Sequence, residues 1–289
     1  MRVALLHNSS AGSEDHTDRE LVKWIRKAGH EVVQVADKVT LLLAELQRRP
    51  CDLVVVAGGD GTVSSAACEL SDWRVPLAIL PLGTANNTAL SLGLTKRPKR
   101  LVDAWEGAPI RPFDLASFDD GSVRQLLSEA LGWGIFPRAI AAAKARPAKK
   151  ARGRQLRRDR ALFEQSSLSA EARPYDIMVD GRAYSGSYLL VEIANIPYIG
   201  PRLQLSPESN PSDGFLEVVL AGEQHRAALV ELARGGVVAQ DALQRVRGKH
   251  VQVTAADGVL HRDGSLVRHP AVPRQFDVRV NEGAVSYVG

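Results

Sequence analysis

The run DLVVVA at residues 52–57 has no polar position after its first residue. A strand of that kind has no face to show to water, so it must be covered on both sides, the situation of a parallel strand between layers of helix. The neighbouring sequence repeats the pattern. RVALLH (2–7), EVVQV (31–35) and VPLAIL (75–80) read as further strands, while LVKWIRKAG (21–29), TLLLAELQRR (40–49) and Lys99 to Trp105 read as helices. Thr17 followed three residues later by Glu20 has the form of a capping box, and Gly29 suits the end of that helix. The first hundred residues therefore predict an α/β domain on a parallel sheet.

After Gly107 the texture changes. PIRPFDLASF, VRQLLSEALG, YDIMVDGRAYSG, SYLLVEIAN, FLEVVL, VQVTA and QFDVRV are short apolar stretches separated by turn signals, with helical patches only near 137–145, 156–172 and 224–233. Asp180-Gly181 between IMV and AYS is a two-residue hairpin signal. We expect an α/β domain over 1–108 and an antiparallel β domain over 109–289, with the last strand free to return to the first domain.

A chain of 289 residues with 45% hydrophobic content can bury the cores this division needs. No run approaches the roughly 18 apolar residues of a membrane span, and MRVALLHNSS lacks the pattern of a signal peptide, so a cytoplasmic location is expected. Cys51 and Cys68 have no metal-ligand spacing and read as a reduced pair. The net charge of +4 is uneven: Lys144 to Arg160 holds nine basic residues against Asp159 alone, a net +8 that leaves the rest at −4.

Two loops carry the chemistry. GGDGT (58–62) takes the third strand straight into a helix and leaves backbone N–H groups at the carboxyl end of the sheet, which suits an anion. Asp60 cannot itself favour an anion, so it would act through Mg²⁺ or a hydroxyl. A plain turn capped by Asp60 and Thr62 accounts for the same residues. PLGTANN (81–87) follows the next strand and brings Gly83, Thr84, Asn86 and Asn87 to the mouth of the same sheet, so that the two loops form a crevice. Neither a GxxxxGK[ST] loop nor a GxGxxG after the first strand is present.

Together with SPESNPSDGFLEVVL (206–220), these motifs resemble the diacylglycerol kinase catalytic family, which includes bacterial lipid kinases and sphingosine kinases. EALGWG (129–134), IAN (193–195) and the closing VRVNEGAVSYV extend the resemblance over nearly the whole chain. It implies a parallel-sheet nucleotide-binding domain like that of NAD kinases, a C-terminal β-sandwich-like domain, and ATP with Mg²⁺ as cofactors. By the same resemblance Gly58, Gly59, Asp60, Gly61 and Thr62 face the phosphates, with Asp60 acting through Mg²⁺; Gly83, Thr84 and Asn86 belong to the second nucleotide loop. Asn210, Asp213 and Phe215 align with a structural metal site, the outer two through backbone carbonyls.

Some positions depart from the family pattern. HRDGSLV carries Ser265 where active members usually have the glutamate that takes the lipid hydroxyl proton, and a serine needs another group to activate it. Asp263 is the nearest carboxylate in sequence, with His261 beside it as a candidate acid/base partner. Asn87 stands where many relatives have Asp, NSSAG (8–12) lacks the usual proline, and Asp37 or Thr40 stands in for a threonine near the second strand. Asp114 matches a family acid, and Glu129 and Asn195 fall in family-like stretches that buried polar pairing explains equally.

Three functions remain open at this point: an ATP-dependent kinase acting on the hydroxyl of diacylglycerol or a related lipid, a catalytically impaired nucleotide- or lipid-binding homologue, and a soluble NAD kinase. The tract Lys144 to Arg160 is expected to meet an anionic membrane surface, giving peripheral association. With 5% aromatic residues and no recognition motif, nucleic acid is not expected as a partner, and a homodimer is left open.

Overall fold

The computed structural model describes residues 1–11, 16–145 and 152–289. The chain forms two compact units, the first made of Met1–Phe113 and Gly283–Gly289, the second of most of the residues between.

In the first unit, β1 (Arg2–His7), β2 (Glu31–Ala36), β3 (Leu53–Gly58) and β4 (Leu77–Pro81) alternate with α1 (Asp18–Lys27), α2 (Val39–Leu46), α3 (Asp60–Glu69), α4 (Asn87–Ser91) and α5 (Pro98–Val102). The strands run parallel in the order β2-β1-β3-β4, and Tyr287 near the C-terminus pairs in parallel with Leu77 of β4. Every residue of β3 is buried, as an unbroken apolar strand between two layers requires. Val3, Leu5, Leu53, Val55, Ala78 and Leu80 pack with Leu21 and Ile25 of α1. The Thr17 hydroxyl accepts the Glu20 N–H at 3.3 Å and opens α1, and Gly29 follows its end at φ 84°.

The second unit is antiparallel. β5 (Ile110–Asp119) and β6 (Arg124–Leu127) form a hairpin; β7 (Ala130–Gly134), α6 (Ile135–Ala145) and α7 (Arg152–Ser169) follow. Then come β8 (Arg173–Val179), β9 (Arg182–Ala183), β10 (Gly186–Tyr188), β11 (Leu190–Ala194), β12 (Tyr198–Ile199), β13 (Leu203–Gln204) and β14 (Leu216–Ala221). After α8 (Arg226–Arg234) the chain closes with β15 (Gln244–Gly248), β16 (His250–Ala255), β17 (Val259–Arg262), β18 (Ser265–Arg268) and the long β19 (Arg274–Val288). One sheet has the order β15-β14-β11-β7-β17-β18; facing it are β10, β8, β16 and the first part of β19.

Strand alternation assigns the layers. Leu216, Val218 and Leu220 of β14 join Trp133, Val191, Ile193, Ile177, Val253 and Phe276 between the sheets, whereas Val219 and Ala221 face Phe136, Phe163, Leu229 and Leu232 of the helices. Asp180 and Gly181 take φ 46° and 79° and join β8 to β9 through the pair Val179 and Arg182, as the dipeptide predicts. The fold is thus an N-terminal parallel α/β domain followed by an antiparallel β-sandwich.

Candidate functional site

The carboxyl ends of β1, β2, β3 and β4 surround a cavity of about 600 Å³, within the range of roughly 300–1,000 Å³ usual for small-molecule sites. Its lining includes Gly59, Gly61 and Thr62 from the first motif and Gly83 and Thr84 from the second. Glycine chemistry explains how the two loops reach one place. A Cβ on Gly83 would overlap the Gly59 Cα and lie 2.8 Å from Asn86 Oδ1, and a Cβ on Gly59 would come within 3.1 Å of the Gly83 Cα. The two backbones touch with nothing between them, so Gly83 tolerates no side chain and one on Gly59 would have to displace the second loop by a few tenths of an ångström. Gly61 is different: a Cβ there would meet no protein atom, which leaves open space at the cavity edge beside the amino end of α3.

Gly58, Asp60 and Asn86 do not line the cavity; they build its walls. The Gly58 carbonyl accepts the N–H groups of Leu82 (2.9 Å) and Gly83 (3.1 Å), and a Cβ on Gly58 would lie 2.8 Å from the Thr62 side chain. Asn86, in left-handed backbone at φ 54°, donates its amide to the carbonyls of Gly83 (2.9 Å) and Pro81 (3.3 Å) and so closes the second loop on itself. Asp60 heads α3, and its Oδ1 accepts the Thr88 N–H at 3.3 Å, tying the start of α3 to the start of α4. The carboxylate is half-buried at the positive end of its own helix.

Asp37 and Thr40 both line the cavity, with Lys38 between them. Asn8 lines it too: its side-chain amide donates to Thr62 Oγ1 at 3.0 Å and its Oδ1 accepts from the Ser10 N–H at 3.1 Å, a local turn that serves without the family proline. Sequence reasoning missed Lys38, Ser65 and Glu69. The signal was available, since Gly61, Ser65 and Glu69 are spaced four apart on α3 and share its cavity-facing side.

The candidates of the second unit have other environments. Asp263 occupies the β17–β18 hairpin at φ 45°, and its carboxylate accepts three backbone N–H groups, those of Ser128 (2.9 Å), Glu129 (2.8 Å) and Ala130 (3.1 Å). Its lone pairs are committed to holding β7 against the hairpin. Ser265, which pairs with Arg262 across the same turn, is exposed. His261 points away from both. Its Nε2 lies 2.8 and 3.0 Å from the two oxygens of the fully buried Glu192, and its Nδ1 is buried without a hydrogen-bond partner among the described residues. Burial pushes the Glu192 carboxyl above its ordinary value, partly offset by His261. Asp114 accepts the Gly214 N–H at 2.8 Å, and Asn195 donates to the carbonyls of Asp114 (2.8 Å) and Ser128 (2.9 Å), so this pair braces the unit internally. Asp213 of the expected metal loop is ion-paired to Arg247 at 2.5 Å.

With the geometry in place, the comparisons with known proteins become specific. Residues 2–118 match the diacylglycerol kinase catalytic domain, and residues 141–286 match the YegS C-terminal NAD kinase beta sandwich-like domain. The chain belongs to the diacylglycerol kinase catalytic domain family. It is 28% identical over 253 residues to a diacylglycerol kinase of Mycobacterium tuberculosis, covering 84% of this chain and 81% of that one. It is 29% identical over 294 residues to a Pseudomonas aeruginosa protein named "Probable lipid kinase YegS-like", covering 98% and 92%. A crystal structure of a diacylglycerol kinase from Bacillus anthracis superimposes with a TM-score of 0.73 at 18% identity, over 99% of this chain and 96% of that one, which establishes the shared fold. Family membership makes this a chain of the lipid-kinase class. Among the described residues, no helix is long and apolar enough to cross a membrane.

Proposed function

We propose that the protein transfers the γ-phosphoryl group of ATP to the hydroxyl of diacylglycerol or a related lipid. The observation that carries this reading is the cavity of the first unit, where glycines of both family motifs meet backbone to backbone and Gly61 leaves room beside a helix amino end. That is what close approach of a polyphosphate requires. Gly59, Gly61, Thr62, Gly83 and Thr84 would hold the nucleotide, with Lys38 supplying positive charge and Asn8 fixing the Thr62 hydroxyl. A divalent ion bound with ATP, on the side of Asp60, would supply neutralisation of phosphate charge. In the transfer the lipid oxygen bonds to Pγ as the bond from Pγ to the bridging oxygen breaks; ADP leaves and the hydroxyl proton passes to a base.

A second reading, a nucleotide- or lipid-binding homologue without turnover, draws on the β17–β18 hairpin, where Ser265 has no carboxylate and Asp263 is engaged by three N–H groups. The lipid would be met at an anionic surface by the basic tract. Arg146 to Ala151 lie outside the described residues; Arg160 is held by the carbonyls of Pro201 and Arg202, and Arg158 by Asp159, which leaves the exposed Lys144 of α6 and Arg154 and Arg157 of α7 for lipid headgroups.

The test is ATP consumption with Mg²⁺ and mixed vesicles carrying diacylglycerol, comparing the wild type with Asp60→Ala and Ser265→Glu. The proposal expects lipid-dependent turnover in the wild type and a loss on the order of 100-fold or more in Asp60→Ala. Intact nucleotide binding without wild-type turnover, together with activity gained in Ser265→Glu, establishes the second reading.

A further inference from the structure

The loop leading into β14 is where the family pattern places a structural divalent ion, on Asn210, Asp213 and Phe215. In this chain those residues do not fit one. We propose instead that the Arg247 guanidinium is the resident cation of this loop and holds it in the absence of any metal.

Both oxygens of Asp213 are committed: Oδ2 lies 2.5 Å from Arg247 Nη2, and Oδ1 accepts the Phe215 N–H at 3.0 Å. The guanidinium carbon sits 4.7 Å from the centre of the Phe215 ring, so one planar cation serves the carboxylate and the aromatic face together. A second fixed charge stands beside it. Lys249 Nζ lies 5.1 Å from the same ring centre and 2.6 Å from Glu282 Oε1. A divalent ion entering here would find each nearby carboxylate already engaged, Asp213 by Arg247, Glu282 by Lys249 and Asp114 by the Gly214 N–H, with two positive charges at short range. Mg²⁺ gives up its water reluctantly and asks for near-octahedral oxygen donors, whereas a guanidinium is weakly hydrated and is attached to the strand that packs against the loop.

The remainder of the loop is braced in the same metal-free manner. The Asp114 N–H donates to the Pro211 carbonyl at 2.6 Å, and the Asp114 carboxylate takes the Gly214 N–H at 2.8 Å. The Asn210 side chain accepts the Ser212 N–H at 3.1 Å, its carbonyl accepts the Asp213 N–H at 3.3 Å, and Ser206 and Ser209 donate to the buried Glu217. Of the groups that the family pattern would give to an ion, the Asp213 carboxylate and the Asn210 carbonyl have partners from the chain itself. The inference concerns the architecture of the loop and stands whether or not the chain turns over lipid.

The experiment is thermal unfolding of the full chain without nucleotide, with and without millimolar MgCl₂ or CaCl₂, for the wild type, Arg247→Ala, Arg247→Lys and Asp213→Asn. The wild-type midpoint is expected to be unmoved by either ion. Arg247→Ala should melt about 4 °C lower, with Arg247→Lys between the two because an ammonium keeps the charge and loses the planar fork. Recovery of Arg247→Ala by either ion supports the proposal directly, since the loop then accepts a metal only when the arginine is gone. A wild-type midpoint raised by Mg²⁺ or Ca²⁺, with the rise abolished in Asp213→Asn, would overturn the proposal. So would an Arg247→Ala protein that melts with the wild type.

Discussion

Gly132→Ala tests the second unit at its tightest point. Gly132 of β7 pairs with Glu192 of β11 on one side and with His261 of β17 on the other, so the three residues lie in one row across three strands. The Glu192 carboxylate reaches His261 over the glycine, because only there does the middle strand present no side chain. A Cβ on residue 132 would overlap Glu192 Oε2, and it would stand 2.7 Å from Glu192 Cδ and 2.9 Å from the Val191 carbonyl oxygen. The carboxylate cannot yield sideways without leaving His261 alone in the interior. Breaking a buried pair costs about 3–5 kcal/mol, and overpacking adds about 1–3 kcal/mol. Against a total stability of about 5–15 kcal/mol, that change alone brings the unit near its unfolding threshold. Glu192→Ala should cost about 3–5 kcal/mol by itself, since it leaves His261 unpaired. The double variant Gly132→Ala/Glu192→Ala should then cost less than the sum of its parts by at least about 2 kcal/mol, because the clash and the lost pair are one event. Urea unfolding followed by Trp133 fluorescence, in a background with Trp24, Trp73 and Trp105 changed to phenylalanine, reads the second unit selectively. Costs that add to within about 0.5 kcal/mol would refute the claim that the carboxylate occupies the space of the missing side chain.

Two further outcomes follow from the geometry. Burial raises the Glu192 carboxyl above 4.5, so the folded state holds a proton that the unfolded chain releases; the resulting stability is complete below that pH and declines as pH rises through the folded value. In pH-dependent urea unfolding, Glu192→Gln should therefore lack this decline, by up to about 1.4 kcal/mol per pH unit, and an unchanged profile would exclude Glu192 as the group responsible. On the proposed function, Gly83→Ala, which would push the PLGTANN loop off Gly59, should weaken ATP binding by about 10-fold or more in calorimetry, while Gly93→Ala, whose Cβ would meet no atom, changes stability through its φ of 74° and leaves ATP affinity alone.

Much of the first unit was legible in the sequence. An unbroken apolar strand such as β3 has one way to be buried, and the alternation of such strands with helices predicts a parallel sheet before any coordinate is known. GGDGT and PLGTANN could be placed in one crevice for the same reason: both follow strands of that sheet at their carboxyl ends. The Asp180-Gly181 hairpin was equally local, since it needs left-handed backbone at both positions.

What the sequence could not decide was direction and partnership. Asp60 lies in the expected loop, yet its carboxylate turns to the Thr88 N–H, 28 residues on; Asp263 answers N–H groups more than 130 residues away. Whether Asp213 faces a metal or Arg247 depends on the pairing of β14 with β15, and whether Glu192 meets His261 depends on β7 lying between β11 and β17 with glycine at the shared register. Periodicity and turn chemistry act over a few residues and are written in the local sequence. Strand order and register bring together side chains from distant parts of the chain, and only the folded sheet determines which buried charge finds which partner.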